Sequence, residues 1–424
     1  MANSIITNVR VLDCTGDDPF DGDIEIADGR IKTISKGTGS IKATGQTVID
    51  GGGATLMPGM VEAHAHASFN DIATFEDIGD TPPEEHTLWT AHFAKVLLEA
   101  GFTSLFGAAS AKPRIEVAVR DFINAGIIPG PRMLVASPEL TVTGNLGDVA
   151  RRHMYRETFG LVCDGADAFR KAARECSRDG VDTLKINPSG DYAMPWAKAH
   201  HTVMTEDEIA AVAHVARGFG KRFAVHARSA DSVKLSLKHG ADVIYHATLV
   251  DDEAKDMLEA KKDEIFVGPT IGVTYAACYE AEPHGISAQD AIDAGFMEEL
   301  ERCAENMTDL HKRGVKILPG GDYGLTWNPN GNDARDIELF VKMIGMTPME
   351  AIQSATKYGG QIMGMGDELG QIKEGYIADL LMIDGDPLKD VSILQDKDKI
   401  TMIMQGGDIY KHTPPAKSAS KKAA

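Results

Sequence analysis

The sequence predicts an α/β protein: a (β/α)8 TIM barrel with a small β-sandwich domain formed by the N- and C-terminal segments. Three observations lead to this prediction. The chain has 424 residues, which is enough for a barrel of about 250 residues and a smaller second domain. Its middle part alternates short apolar runs with segments of helical period, which is typical of parallel strands joined by helices. Both ends are instead rich in short strands and hairpin turns.

Eight short apolar segments are predicted to be the barrel strands, because eight is the number that closes such a barrel. They are residues 60–63, 103–106, 133–136, 183–186, 223–226, 243–246, 265–267 and 315–318. Helices are predicted between them. A capping box of Thr205 and Glu208 predicts a helix that runs to about Gly218, and Thr347 followed by Pro348 predicts another helix start.

The two ends of the chain are predicted to pair. Residues 5–11 and 24–34 are interpreted as strands around an Asp28-Gly29 turn, and residues 377–384 and 400–410 as further strands. Neither end could bury an apolar face alone. We therefore expect residues 1–57 and 368–412 to form the sandwich, residues 58–367 the barrel, and residues 413–424 a disordered tail.

Composition narrows the class of function. The net charge of −20 opposes binding to nucleic acid or to an anionic membrane. The five cysteines are widely spaced, which favours neither a disulfide framework nor a zinc ribbon. The first residues lack a basic and then apolar leader, and no stretch approaches the roughly 20 apolar residues that span a bilayer. We therefore expect a cytoplasmic protein, assembled as a homo-oligomer, that acts on a small molecule.

The clearest chemical signal is His64-Ala65-His66 in the first predicted barrel strand. Alternate residues of a strand face the same side, so the two imidazoles project together and can bind one cation. Such a pair also occurs on solvated strands. The position of this pair favours a metal site, because other potential ligands also lie in or at the ends of predicted barrel strands.

Those ligands stand at the ends of other predicted strands. His226 and His246 end the fifth and sixth strands, Asp322 follows the eighth, and Lys185 lies in the fourth. The carboxyl ends of barrel strands meet at one mouth, where barrel active sites lie. The sequence therefore predicts a metal centre there.

This pattern resembles the amidohydrolase superfamily, in which HxH follows strand one, Lys strand four, His strands five and six, and Asp strand eight. The resemblance covers about residues 5–411. Within the superfamily, the segments 98–103, 125–132 and 370–379 resemble the branch of Xaa-Pro dipeptidases, ochratoxinase and imidazolonepropionase relatives. Five further segments look closer to molinate hydrolase and phenylurea hydrolases: residues 106–110, 144–148, 226–229, 320–324 and 328–335.

The resemblance implies a mechanism. His64, His66 and Asp322 would hold one metal ion and His226 and His246 another, while Lys185, carbamylated by carbon dioxide, would bridge them. Metal-activated hydroxide would attack, and Asp322 would pass its proton to the leaving amine. Some relatives use one metal, and Lys185 could then be only a charged residue at the rim.

We therefore expect one or two divalent metal ions per chain. Zinc is the preferred metal, with iron, cobalt or manganese as alternatives, since imidazole and carboxylate ligands suit all of them. Glu62 is interpreted as a supporting carboxylate. Four residues are candidates for substrate binding by position alone: Arg228, Tyr245, Tyr323 and His201.

The predicted reaction is hydrolysis of a C–N bond in an amide, urea, carbamate or thiocarbamate of a small, partly apolar substrate. A dipeptidase or ochratoxinase-like carboxypeptidase is the alternative, and it would need a cation such as Arg228 or Lys198 to hold a free carboxylate. A non-catalytic barrel is a third reading. It would be expected to have lost a ligand, and here none is missing.

Overall fold

The computed structural model describes residues 3–154 and 156–413. Its strands, in chain order, are β1 Ser4–Val11, β2 Phe20–Ala27, β3 Arg30–Lys36, β4 Thr47–Asp50, β5 Thr55–Pro58, β6 Met60–Ala65, β7 Phe102–Gly107, β8 Arg132–Leu134, β9 Leu140–Thr141, β10 Leu161–Val162, β11 Thr183–Ile186, β12 Arg222–Ser229, β13 Val243–Leu249, β14 Phe266–Gly268, β15 Leu380–Ile383, β16 Ile400–Gln405 and β17 Asp408–His412.

The helices are α1 Phe75–Asp80, α2 Pro83–Glu99, α3 Ile115–Asn124, α4 Ala166–Asp179, α5 Glu206–Phe219, α6 Ala230–Lys238, α7 Asp252–Ala260, α8 Ile271–Tyr279, α9 Ala288–Ala294, α10 Phe296–Lys312, α11 Arg335–Leu339, α12 Pro348–Ala355 and α13 Lys357–Ile362. Short 3-10 helices cover Glu282–His284 and Val391–Gln395, and a π-helical turn covers Phe340–Ile344. Among the described helices, none is long and apolar enough to cross a membrane.

The described residues divide into two compact units. One comprises Met1–Val61, Glu99–Thr103 and Thr347–Ala424, and the other Glu62–Leu98 and Ser104–Met346. The fold prediction of a TIM barrel with a separate sheet domain from the termini is confirmed. The predicted tail, beyond Thr413, lies outside the described residues.

The sheet domain joins the two ends of the chain. Its strand order is β17-β16-β15-β5-β1-β2-β3, with β4 paired to β1. The C-terminal strand β15 pairs antiparallel with β5, placing Leu381 opposite Met57, and the Ile31 amide donates to the Tyr376 carbonyl at 2.8 Å. Apolar side chains from both ends share one buried cluster, including Ile24, Leu56 and Leu380. Burial of that common face explains why the ends fold together.

The barrel strands follow the predicted order. β6, β7 and β8 form one sheet, and β11, β12, β13 and β14 lie consecutively in another. A bridge between Ala136 and Thr183 connects these two sheets, and a bridge between Val267 and Ile317 joins the second sheet to the last barrel segment, residues 315–318. The Ala63 amide then donates to the Pro319 carbonyl at 3.2 Å. Hydrogen bonding thus continues around the ring.

The eighth predicted strand is much shorter than expected. Residues 315–318 contain a single bridge, at Ile317, in place of a regular strand. Pro319, which follows, lacks the N–H that a ladder requires. The next residue, Gly320, has φ of 153°, and a Cβ there would lie 2.5 Å from that of His64. The chain therefore turns at once toward Asp322.

Two helix starts agree with the predicted caps. α5 begins after Thr205, whose capping box with Glu208 is formed, and α12 begins after Thr347, which forms a capping box with Glu350. Each box satisfies backbone N–H groups that a helix leaves unpaired at its first turn.

Candidate metal centre and active site

A cavity lies at the carboxyl ends of the barrel strands. All six predicted metal ligands line it: His64, His66, Lys185, His226, His246 and Asp322. Two long connections, residues 67–90 and 137–165, form part of the cavity wall, which they line with Phe69, Phe75, Glu139, Leu146 and Phe159. The first connection contains α1 and the start of α2.

Three of these residues form a compact cluster. His66 Nε2 lies 3.1 Å from His64 Nε2 and 3.1 Å from Asp322 Oδ1, and His64 Nε2 lies 3.5 Å from the same oxygen. Ligands at 2.0–2.1 Å from a tetrahedral zinc ion would be roughly 3.3 Å apart. Two imidazole nitrogens and a carboxylate oxygen with these separations fit a divalent cation.

The other three residues lie beside this cluster. The rings of His226 and His246 are 4.2 Å apart between centroids, and His64 and His246 are 5.8 Å apart. Lys185 is buried, with Nζ 4.7 Å from the centre of the Tyr245 ring. Burial lowers the pKa of Lys185, against the attraction of the Glu139 carboxylate.

Hydrogen bonds fix the orientation of the imidazoles. His66 Nδ1 lies 3.1 Å from the Ala109 carbonyl, His226 Nε2 lies 3.0 Å from the Gly190 carbonyl, and His246 Nδ1 lies 2.7 Å from Thr270 Oγ1. A ring nitrogen held by an oxygen acceptor leaves the other nitrogen unprotonated and able to bind a metal. Each of these three histidines therefore has its second nitrogen left for a ligand role.

Two of the candidate ligands have an unusual backbone conformation. His246 has φ of 72° and Asp322 has φ of 58°, in the left-handed region that side chains other than glycine rarely adopt. Such conformations cluster at functional sites, where the surrounding structure enforces them. At Asp322 the enforcement comes from Asn328, whose Nδ2 donates to the carbonyls of Gly321 and Asp322 at 2.9 and 3.0 Å.

Electrostatics favour the forms that bind metal. Burial lowers the pKa of His64 and of His226 to about 3, so both are neutral at pH 7. Burial acts to raise the pKa of Asp322, but His64 and His66 together hold it well below its usual value. Neutral imidazoles beside an ionised carboxylate are the ligand states that a divalent cation requires.

Buried groups support the centre from behind. Glu62, which the sequence suggested as a supporting carboxylate, is fully buried, and its Oε1 accepts from the His64 amide at 3.1 Å. Asp336 accepts from the Gly320 amide and from the Tyr323 hydroxyl, both at 2.9 Å. These bonds hold the backbone on both sides of the His64 and Asp322 pair.

Three of the four predicted substrate-binding residues do not line the cavity. Tyr245 is fully buried beneath His64 and donates its hydroxyl to the Ala63 carbonyl at 2.9 Å. Tyr323 is buried with its hydroxyl on Asp336, and His201 is exposed. Both tyrosines satisfy their hydroxyls inside the protein, so they pack behind the site. Arg228 does line the cavity.

Sequence reasoning missed several cavity residues. Glu139 and Asp191 line the cavity, and Glu299, in α10, is fully buried and pairs with Arg228. Asp191 follows the fourth strand, which was a usable signal. Glu299 is one of several carboxylates on an otherwise ordinary helix, and only the fold brings it to Arg228.

The comparisons with known proteins agree with this geometry. The model of the amidohydrolase family matches residues 55–410. Ochratoxinase from Aspergillus niger is 24% identical, over 84% of this chain and 75% of its own. A solved structure of a Xaa-Pro dipeptidase with bound methionine is 26% identical, with a TM-score of 0.85 and coverage of 97% of this chain and 100% of that one. A molinate hydrolase structure shares the fold, with 20% identity, a TM-score of 0.77 and coverage of 96% and 94%.

The chain therefore belongs to the amidohydrolase family. It is a hydrolase that acts on carbon–nitrogen bonds, and its similarity to ochratoxinase and to the Xaa-Pro dipeptidase structure confirms the branch that contains them. Overall similarity does not single out molinate hydrolase within that branch, since the dipeptidase structure has the higher identity and TM-score.

Proposed function

We propose that this enzyme hydrolyses an amide, urea, carbamate or thiocarbamate with the help of divalent metal held by His64, His66 and Asp322. The observation that carries the proposal is the convergence of His64 Nε2, His66 Nε2 and Asp322 Oδ1, which lie within 4.8 Å of one another. A cation held there lowers the pKa of a bound water and polarises the substrate carbonyl.

The protein's own groups have separate roles in this proposal. Asp322 accepts the proton of the attacking water and returns it to the leaving amine, so that the C–N bond breaks as the C–O bond forms. His226 and His246 offer a second set of ligands. Lys185 would bridge the two sets after its amine adds to carbon dioxide, which forms a carbamate and releases one proton. Burial lowers the pKa of Lys185, and this favours the free amine that such an addition needs.

Several finer expectations stay predictions. They are zinc as the metal, the second ion, carbamylation of Lys185, assembly as a homo-oligomer, and a cytoplasmic location. Metal analysis of the purified protein tests the identity and number of the metal ions, and analytical ultracentrifugation tests the homo-oligomer. Intact-mass measurement under carbon dioxide tests carbamylation of Lys185.

The function is tested by a hydrolysis screen with purified, zinc-loaded protein. Anilides, phenylureas, thiocarbamates and dipeptides cover the bond types of the proposal, and release of amine is the readout. We expect turnover of at least one class, its loss with a chelator, and its recovery with added metal. Turnover that a chelator leaves unchanged, in protein shown to contain no metal, would contradict the proposal.

A further inference from the structure

The only arginine that lines the active-site cavity in the described part of the chain is already paired on two sides. Arg228 is 3% exposed. Its Nε and Nη2 each lie 2.9 Å from Asp191 Oδ2, and its Nη1 donates to Glu299 Oε1. A guanidinium between two buried carboxylates has its charge compensated inside the protein.

Other hydrogen bonds support this arrangement. Asp191 Oδ1 accepts from the Ala193 amide at 2.8 Å, while Asp191 Oδ2 faces the Arg228 guanidinium. Glu299 Oε1 also accepts from Thr248 Oγ1 at 3.0 Å, while its Oε2 is buried without a partner. The carboxylates therefore outnumber the guanidinium that they surround.

Other cations do not fill the role of a carboxylate receptor. Lys185 lies among the candidate metal ligands, over the face of Tyr245. Lys198, the second candidate for a carboxylate receptor, is exposed and does not line the cavity. Among the described side chains of the cavity wall, a substrate carboxylate would thus meet an arginine whose donors already face Asp191 and Glu299, and burial of an unpaired charge is strongly unfavourable.

The remaining wall is apolar and partly aromatic. Phe69 stacks on His66 with 3.9 Å between ring centroids, and Phe75 stacks on Phe159 at 5.2 Å. Leu325 and Trp327 also line the cavity, beyond Asp322. Such a wall favours a planar or branched apolar group on the substrate.

From this geometry we infer that the cavity selects uncharged substrates with an apolar group, and that the Asp191–Arg228–Glu299 cluster excludes substrates with a free carboxylate beside the scissile bond. The inference rests on the proposed hydrolysis of a C–N bond. It separates this chain from a dipeptidase, which must accept the C-terminal carboxylate of its substrate.

A matched pair of compounds tests the inference. N-acetylphenylalaninamide and N-acetylphenylalanine share an acetyl amide bond and a benzyl group, and differ in charge at one position. With zinc-loaded enzyme we expect kcat/KM, and affinity measured by calorimetry, to favour the uncharged compound by about tenfold or more, because the Arg228 guanidinium is already paired with Asp191 and Glu299 and is not free to receive a desolvated carboxylate. Equal or better use of the acid would overturn the inference.

The binding measurement keeps the two proposals apart. If neither compound is cleaved and the broader screen also shows no turnover, the proposed function fails. The calorimetric preference between the two compounds still decides the inference about charge in that case.

Variants test whether the Asp191–Arg228–Glu299 cluster causes the preference for the uncharged compound. Glu299→Gln removes one of the carboxylates around Arg228 and should improve use of the acid relative to the amide by about tenfold. Glu298→Gln is the matched control, since Glu298 precedes it on α10, is exposed and pairs with Arg302. If Glu299→Gln fails to fold, Asp191→Asn is the alternative variant, because it removes the other carboxylate that pairs with Arg228. If the ratio of kcat/KM for the acid to kcat/KM for the amide were unchanged in the folded variants, or rose equally in Glu298→Gln, the role of the cluster would be contradicted.

Discussion

At the scale of single residues, the centre depends on atoms that the fold forces together. His64, His66 and Asp322 converge from the first strand and from the turn after the eighth. Asp322 does so in a left-handed backbone conformation, with φ of 58°. Because this conformation is costly for a residue with a side chain, it persists through the surrounding hydrogen bonds.

Asp322→Asn tests the proton-transfer role. Asparagine keeps one oxygen for metal binding but cannot accept a proton at neutral pH, and general acid–base catalysis contributes on the order of 10²–10⁴ in rate. We therefore expect kcat to fall by about that factor, with a smaller change in KM and most of the metal retained. Steady-state kinetics with elemental analysis provide the measurement. A variant with normal metal and more than about a tenth of the wild-type kcat would assign proton transfer to another group.

Lys185→Ala tests the proposed bridge. If Lys185 joins two metal sites as a carbamate, the variant should lose metal and activity together, and a small carboxylic acid such as acetate should restore part of both. Metal content and rate are followed with increasing acetate. Full metal content and full rate without acetate would leave Lys185 as a charged rim residue.

At the scale of elements, the segment after the eighth strand is the one on which the site most depends. Asn328 holds the carbonyls of Gly321 and Asp322, and Arg335 in turn donates to Asn328 Oδ1. Asp336, at the start of α11, accepts from the Gly320 amide. This segment therefore orders Asp322 before any metal binds.

Asn328→Ala should loosen Asp322. The variant loses the two hydrogen bonds that Asn328 Nδ2 donates and the one that its Oδ1 accepts from Arg335, each contributing about 1 kcal/mol. It should therefore bind metal at least several-fold more weakly. Asn332→Ala is the control, because Asn332 is exposed in the same segment. Metal affinity is measured by competition with a chelator of known affinity. Equal affinities for the two variants would show that Asn328 does not position the ligand.

The elements also show what the sequence could predict. The HxH pair and the residues at strand ends placed all six candidate ligands at the cavity, because strand period and barrel topology fix where such side chains point. The same reasoning failed for Tyr245 and Tyr323, which lie near the ends of strands but pack inward. It also missed Glu299, since the contact with Arg228 joins residues 71 positions apart in the chain.

At the scale of the whole molecule, the two chain ends fold as one sheet and the middle as a barrel. The sequence predicted both, since apolar alternation and βα rhythm are strong local signals. The shortened eighth strand was not predicted, although Pro319 and two glycines mark its end. In place of a regular strand ladder, the hydrogen bond from the Ala63 amide to the Pro319 carbonyl joins the eighth segment to the first barrel strand.

The folded molecule should protect its thiols. All five cysteines are buried, and burial raises the pKa of Cys14, Cys176 and Cys303 to about 12 and of Cys163 and Cys278 to about 11. Because the thiolate is the reactive form, these groups stay protonated at pH 8 and gain reactivity only as the pH approaches those values or the protein unfolds. An aromatic disulfide reagent should titrate almost no thiol in native protein at pH 8 and five after denaturation. Rapid native reaction of any cysteine would contradict its buried position.

The central claim is that His64, His66 and Asp322 hold a divalent metal. Anomalous diffraction from a zinc-loaded crystal, recorded on both sides of the zinc absorption edge, tests it most directly. The predicted result is an edge-dependent peak within about 2.0–2.2 Å of His64 Nε2, His66 Nε2 and an Asp322 oxygen. Fully occupied zinc elsewhere in the protein, with no peak among these three side chains, would contradict the claim.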